Sequence, residues 1–417
     1  MKLRDLGPGL ITGAADDDPS GIATYSQAGA QFGYSLLWTM VFTWPLMSGI
    51  QLVSARIGHV TGRGLASNIR AAFPRPLLFA IVGLLLLANG FNVAADIAAM
   101  GQALRLLLGG SAHVYSLTFG LFCLVLQVFL RYQTYVRYLK WLTLALLSYV
   151  AVLFTIQVPW VTVAGKSLFP TLALDSGTLT MIVALLGTTI SPYLFFWQAA
   201  LEMEDRRPAP ESDPDSLKLP QSAVEVSRHL RRIKWDTWIG MGFSNLIAFF
   251  IILSTAATLH AAGVTDIQTS AQAAEALRPI GGELTFLLFS FGIIGTGLLA
   301  VPVLAGSAAY AVAESFDWPT GLDLKLHQAQ GFYAIIAVAT LGGVVLNFMP
   351  VDPIRELFWS AIVNGIIAVP IMAVMMLLAA RRDIMGRYVV STRLRRLGWF
   401  ATLIMALAVI GMLISLH

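Results

Sequence analysis

Asp16-Asp17-Asp18-Pro19-Ser20-Gly21 is an acidic run ending in a helix-breaking proline, set inside an apolar stretch long enough to cross a bilayer. A charge at mid-membrane depth costs roughly 2.5–3.5 kcal/mol on insertion scales, so three carboxylates there need a compensating partner. The natural partner is a cation. The surrounding composition places the run in a membrane, because 57% of residues are hydrophobic, only 12% are charged and the mean hydropathy is +0.74. These values lie far outside the globular norm.

A span needs roughly 20 apolar residues. Windows of that length predict eleven spans, near residues 10–33, 36–57, 77–108, 114–130, 136–157, 179–203, 235–260, 282–313, 330–350, 356–380 and 398–416. The first is too polar and interrupted for a cleavable signal peptide. With the N-terminus on the cytoplasmic side, 23 of the 27 Lys and Arg fall in inner segments, leaving Arg105, Lys166, Arg278 and Arg355 outside. That asymmetry predicts a cytoplasmic N-terminus and an outside C-terminus in a bacterial inner membrane. It also assigns the net charge of +4 to contact with the inner leaflet rather than with nucleic acid. The one long polar insertion, about 204–234, reads as a cytoplasmic loop whose second half forms a surface helix, and Cys123 reads as an inert packing residue.

The spans carry a less visible repeat. Segment 1 is interrupted at Asp18-Pro19 and segment 6 at Ser191-Pro192, within Gly187-Thr188-Thr189-Ile190-Ser191-Pro192-Tyr193. Corresponding breaks in two halves point to a transport site at the midplane. A broken helix frees backbone groups that lipid cannot satisfy, so it must line a protein-walled cavity. The expected organisation is a first repeat over 1–160, a second, inverted one over 161–380, and a final helix over 381–417.

Gly7-Pro8-Gly9, Asp18-Pro19-Ser20-Gly21-Ile22-Ala23-Thr24, Gln27-Ala28-Gly29-Ala30 and Phe32-Gly33-Tyr34 resemble the first span of the Nramp divalent-metal transporters, whose hallmark is Asp-Pro-Gly-Asn. The family's second hallmark, Met-Pro-His, aligns with Ser191-Pro192-Tyr193. The resemblance implies an all-α, LeuT-type fold of eleven helices in two inverted five-helix repeats. It also implies a metal held between the broken helices by an aspartate, an asparagine, a methionine sulfur and a backbone carbonyl. Those positions are Asp18, Gly21, Ser191 and the carbonyl of Thr188, so two of the side-chain ligands are gone. The remaining donors are all oxygen, which no longer favours soft transition metals. Gly21 also leaves room.

Magnesium suits such a site, since it dehydrates reluctantly and is held by one or two carboxylates while keeping several waters. The pattern resembles the Nramp-related magnesium transporters, which also accept Mn²⁺. The metal is cargo, no cofactor is expected, and the functional unit is expected to be a monomer in the bilayer. Family members that couple to protons carry histidines at the positions of Tyr193 and Gln198, and a glutamate three residues after Asp96; here Ala99 stands there. Uncoupled transport by alternating access is therefore the expectation. The alternatives are a proton-coupled Mn²⁺ or Fe²⁺ carrier of the ordinary family type and an amino-acid carrier on the same fold. An intramembrane protease would need Asp18 and Asp96 as a catalytic pair, without a supporting motif.

Several further residues stay open at this level. Asp96 is either a secondary cation contact or a structural carboxylate paired with a neighbour such as Asn92. Asp16 and Asp17 read as walls of a solvated inner vestibule. Thr189, Tyr193, Gln198 and Asn364 are candidates for a second shell or the pathway, although Asn364 is better explained by polarity satisfied within the bundle. Glu202, Glu204 and Asp205 read as a solvated helix end, and Tyr193, Phe195, Phe196 and Trp197 as packing.

Overall fold

The computed structural model describes residues 8–129, 147–154, 158–170, 173, 175–205, 223–267, 269–348 and 353–415. These residues are helical with short connections, and no strand occurs among them. The first expected span is two helices, α1 (Pro8–Asp16) and α2 (Pro19–Phe32), followed by α3 (Leu37–Thr61), a short α4 (Leu65–Ala72), α5 (Arg75–Leu108) and α6 (Ala112–Phe129). Next come α7 (Leu147–Leu153) and α8 (Trp160–Leu168), then the second interrupted pair, α9 (Ser176–Thr189) and α10 (Pro192–Glu204). The chain finishes with α11 (Ala223–Thr255), α12 (Ser270–Ser315), α13 (Gln330–Leu346), α14 (Pro353–Ala380), α15 (Arg382–Met385) and α16 (Thr392–Ser415).

Ten of the expected spans fall on these helices, while the one at 136–157 lies largely outside the described residues. Two boundaries differ from the reading of the sequence. The surface helix expected near 222–232 is instead the first turns of α11, which runs unbroken for 33 residues. The span at 282–313 is preceded by further helix, because α12 starts at Ser270 and kinks at Gly282, whose φ of 78° suits a residue without a Cβ.

Burial sorts the helices into layers. In the most apolar window of the α9–α10 stretch 89% of residues are buried, against 22% in α6 and 33% in α16. The interrupted pair therefore sits at the centre, while α6 and α16 present leucines and phenylalanines outward, as lipid contact requires. Small residues let the central elements touch backbone to backbone. A Cβ on Gly187 would run into the backbone of Ala361 and Gly365, bringing α9 hard against α14, and one on Gly13 would strike the backbone of Gly240, seating α1 on α11.

Polar side chains then tie the helices together through buried hydrogen bonds in a medium that offers no water. Gln51 donates to the Leu194 carbonyl (2.8 Å) and Ser54 to that of Phe195 (2.5 Å), anchoring α10 to α3. Asn89 donates to Leu304 and Ser307 across α5 and α12, and Asn347 to Ala94 across α13 and α5. At the start of α1 the Gly9 amide donates to Asp236 of α11 (2.7 Å), placing a carboxylate on that helix's positive end.

Candidate functional site

The chemistry gathers where the two interruptions meet. Asp18 has extended backbone (φ −71°, ψ 165°) and is the N-cap of α2, while Pro19 supplies the fixed φ that suits a first helical position. Asp18 Oδ1 accepts from the Gly21 amide (2.6 Å) and the Ser20 hydroxyl (2.8 Å). Ser191 occupies the matching place before Pro192 and α10, again with extended backbone. Both breaks are thus local consequences of a proline at the first position of a new helix. Because the caps are buried, their polar groups face protein rather than lipid.

The Tyr193 hydroxyl joins the two breaks. It donates to the Ala15 carbonyl at 3.0 Å and lies 3.4 Å from Asp18 Oδ2. Packing alone, the reading its aromatic neighbours suggest, is therefore not its whole role. Phe195, Phe196 and Trp197 are buried as expected of core aromatics.

Gly21 stands between the helices as the sequence suggests. A Cβ added there would lie 3.2 Å from Asp18 Oδ1 and 3.3 Å from Thr188 Oγ1. The carboxylate of one break and a hydroxyl of the other therefore flank the same small space. The donor on Thr188 differs from the expected one, since its carbonyl accepts the Ser191 hydroxyl at 2.9 Å and it is the Thr188 side chain that approaches Gly21. Ser191 also lies 3.1 Å from the Gly187 carbonyl; its proton is thus held by its own helix end, and its oxygen is left as an acceptor. Thr189 turns away, donating to the Leu185 carbonyl (2.9 Å).

Asp96 on α5 reaches the same centre. Its Oδ1 accepts from the Ser20 amide at 3.3 Å, while its buried Oδ2 has no hydrogen-bond donor. Asn92 is not its partner, because Asn92 and Asn364 form a reciprocal amide pair (3.1 and 3.3 Å) between α5 and α14. In this structure Asn364 is thus a contact within the helix bundle.

Asp16 and Asp17 are not exposed on a watery wall. Each is 1% exposed, and Ser244 of α11 donates to Asp16 Oδ2 (2.7 Å) with Asp17 Oδ1 at 3.2 Å. The cavity wall of the sequence reading is closed here by α11. Ser244 went unnoticed in the sequence because a lone serine in an apolar span carries no signal of its own. Gln198 donates to Thr237 (2.9 Å), again bridging to α11.

The end of α10 is also less solvated than expected. Glu202 is fully buried with Arg232 at 3.5 Å, and Glu204 accepts from Tyr310 (2.5 Å) and the Leu322 amide (3.0 Å). Arg232 also pairs with Asp205 (2.5 Å), so this end is tied to α11 rather than left as a free acidic collar.

The donors around the breaks are one well-held carboxylate, a second carboxylate with an open oxygen, and serine and threonine oxygens. Among the described residues no group of three or more His, Cys, Asp and Glu is placed to hold a metal by itself. Water or backbone oxygens would have to complete the shell of any cation held by these groups.

Comparison with known proteins agrees with this architecture. The sequence matches the profile of natural resistance-associated macrophage protein-like (Nramp) proteins over residues 9–415. It is 27% identical over 422 residues to the divalent metal cation transporter MntH of Deinococcus radiodurans, covering 97% of this chain and 88% of that protein. MntH of Yersinia pestis (strain Pestoides F) is 27% identical over 372 residues, 84% of each chain. These relatives are named as transporters, not enzymes. The fold is that of a crystallised Eremococcus coleocola manganese transporter, with a TM-score of 0.76 at 18% identity over 99% of this chain and 85% of the other. Mhp1, a nucleobase-cation-symport-1 family transporter, shares it more distantly, with a TM-score of 0.63 at 14% identity over 99% and 90%. The chain is an integral membrane protein of the Nramp family.

Proposed function

We propose that the protein carries divalent metal cations across the membrane by alternating access, with Mg²⁺ as its main substrate and Mn²⁺ as a second. The observation that carries this reading is the donor set at the breaks: Asp18, the Ser191 oxygen and Thr188 offer only oxygen, and Gly21 places no side chain between Asp18 and Thr188. Hard ions prefer such ligands, and an ion that keeps its waters needs the room. Asp96, with one oxygen uncommitted, is the second carboxylate we assign to the cation.

We further propose that transport is uncoupled from protons. His59, His113, His229, His260 and His327 lie at helix ends or in connections, away from the two breaks, and Tyr193 and Gln198 are engaged with Ala15 and Thr237. The inside-negative potential then drives uptake. The Lys and Arg distribution favours a cytoplasmic N-terminus, and the two interrupted pairs favour inverted repeats over 1–160 and 161–380 with a monomeric transport unit.

A proton-coupled Mn²⁺ carrier is the second reading, favoured by the names of the relatives, MntH and a manganese transporter. Uptake of Mg²⁺ and of Mn²⁺ into proteoliposomes, with internal pH followed, separates the two. Mg²⁺ flux without acidification supports the first reading; Mn²⁺ flux with acidification and no Mg²⁺ flux replaces it with the second.

A further inference from the structure

Away from the transport site, a groove of about 740 Å³ runs along the outer seam of α3 and α11. Its floor is closed by two bonds between those helices, Trp44 Nε1 to the Trp238 carbonyl (3.3 Å) and Asn245 to the Met40 carbonyl (2.7 Å). Its lining is apolar apart from Asn245 and one end, where Lys234 stands beside Trp235 with its ammonium 5.7 Å from that ring. Trp44, Trp235 and Trp238 all face the groove, and Gly242 deepens it at its middle.

We propose that this groove holds one anionic phospholipid, its phosphate on Lys234 and an acyl chain along the seam. Length and charge argue for that occupant. From Lys234 to Phe249, the lining covers sixteen residues of α11, about 22 Å at the rise of an α-helix. That matches a headgroup layer plus one leaflet of a core roughly 30 Å thick. Exposed Arg228 and Arg231 precede Lys234 at three-residue spacing, so the end that meets the headgroup is the basic end of the helix. Tryptophans at that level are typical of the membrane interface, and basic pockets between spans on that side suit acidic headgroups.

The lipid bears on transport through adjacent residues. Asn245 lines the groove while Ser244, its neighbour on α11, holds Asp16 and Asp17. Filling the seam steadies the helix that closes the acidic run.

Native mass spectrometry of the purified full-length protein, titrated with phosphatidylglycerol or phosphatidylcholine, tests the assignment. One lipid per monomer is expected, with phosphatidylglycerol retained about fivefold more tightly, the factor given by roughly 1 kcal/mol per basic side chain. Lys234→Ala removes the preference and Lys234→Arg keeps it. Gly242→Leu, which pushes into the Trp44 side of the groove, lowers retention of both lipids. Equal retention of the two lipids, an undiminished preference in Lys234→Ala, or unchanged binding in a folded Gly242→Leu protein overturns the proposal. So does a dimer whose formation excludes the lipid.

Discussion

Tyr193 and Asp18 face each other across the two helix breaks, the hydroxyl 3.4 Å from Asp18 Oδ2 while it donates to the Ala15 carbonyl at 3.0 Å. One phenol thus reads both the end of α1 and the cap of α2. Tyr193→Phe leaves the ring packing intact but frees the Ala15 carbonyl, a loss of about 1 kcal/mol for a typical hydrogen bond. The expected result is a folded protein whose Mg²⁺ uptake falls several-fold. Liposome flux beside a thermal melt checks it, and unchanged flux shows the hydroxyl to be dispensable.

Asp18→Ala removes the one carboxylate that the break holds with two donors. Mg²⁺ flux is expected to drop to the background of empty proteoliposomes. Isothermal titration on the same variant distinguishes lost binding from lost movement; full flux would displace Asp18 from the site.

Softening the donor set tests the ion preference. Ser191→Met places a thioether at the second break, and preference is expected to move at least several-fold toward Mn²⁺ and Cd²⁺. Competition of each ion against radiolabelled Mn²⁺ gives the series. An unaltered order counts against the all-oxygen argument.

Asp175 offers a measurement of pH dependence outside the spans. It is the N-cap of α9, accepting from the Thr178 amide (2.9 Å) and hydroxyl (2.7 Å), and these bonds hold its carboxyl below the usual range. A depressed value in the folded state means the stabilisation is complete above the unfolded value near about pH 4 and is lost as pH falls through the folded one. Asp175→Ala should therefore melt earlier than the parent at neutral pH, and the two melting curves should converge in stronger acid.

The family and the two breaks are legible because their signals are local: Asp18-Pro19 and Ser191-Pro192 each pair a polar capping residue with a proline suited to a first helical position, whereas Pro45, Pro302 and Pro370 stay inside continuous helices. Asp18, Gly21, Ser191 and Thr188 flank those breaks in the chain, and the structure brings Asp18, Gly21 and Thr188 around one space. The partnerships were not legible. Whether Asn92 serves Asp96 or Asn364 depends on how α5 meets α14, a contact over 272 positions that no spacing encodes. Ser244 and Asp236 were missed likewise, being single polar residues on a long apolar helix whose rotation is fixed only by packing. The carboxylates of Glu202 and Glu204 looked solvated because their position near a span end says nothing of Arg232 or Tyr310 above them.

The backbone contact of Gly13 with Gly240 has a mechanical meaning. With no side chain between them and with Gly9 bonded to Asp236, α1 is held close against α11, so the two helices are expected to move as one body. Any opening of the site past α1 is then expected to carry α11 with it. Spin labels at the partly exposed Ile11 and the exposed Ile239 are expected to keep one separation in protein with and without Mg²⁺, and a distance that changes between the two states breaks this coupling.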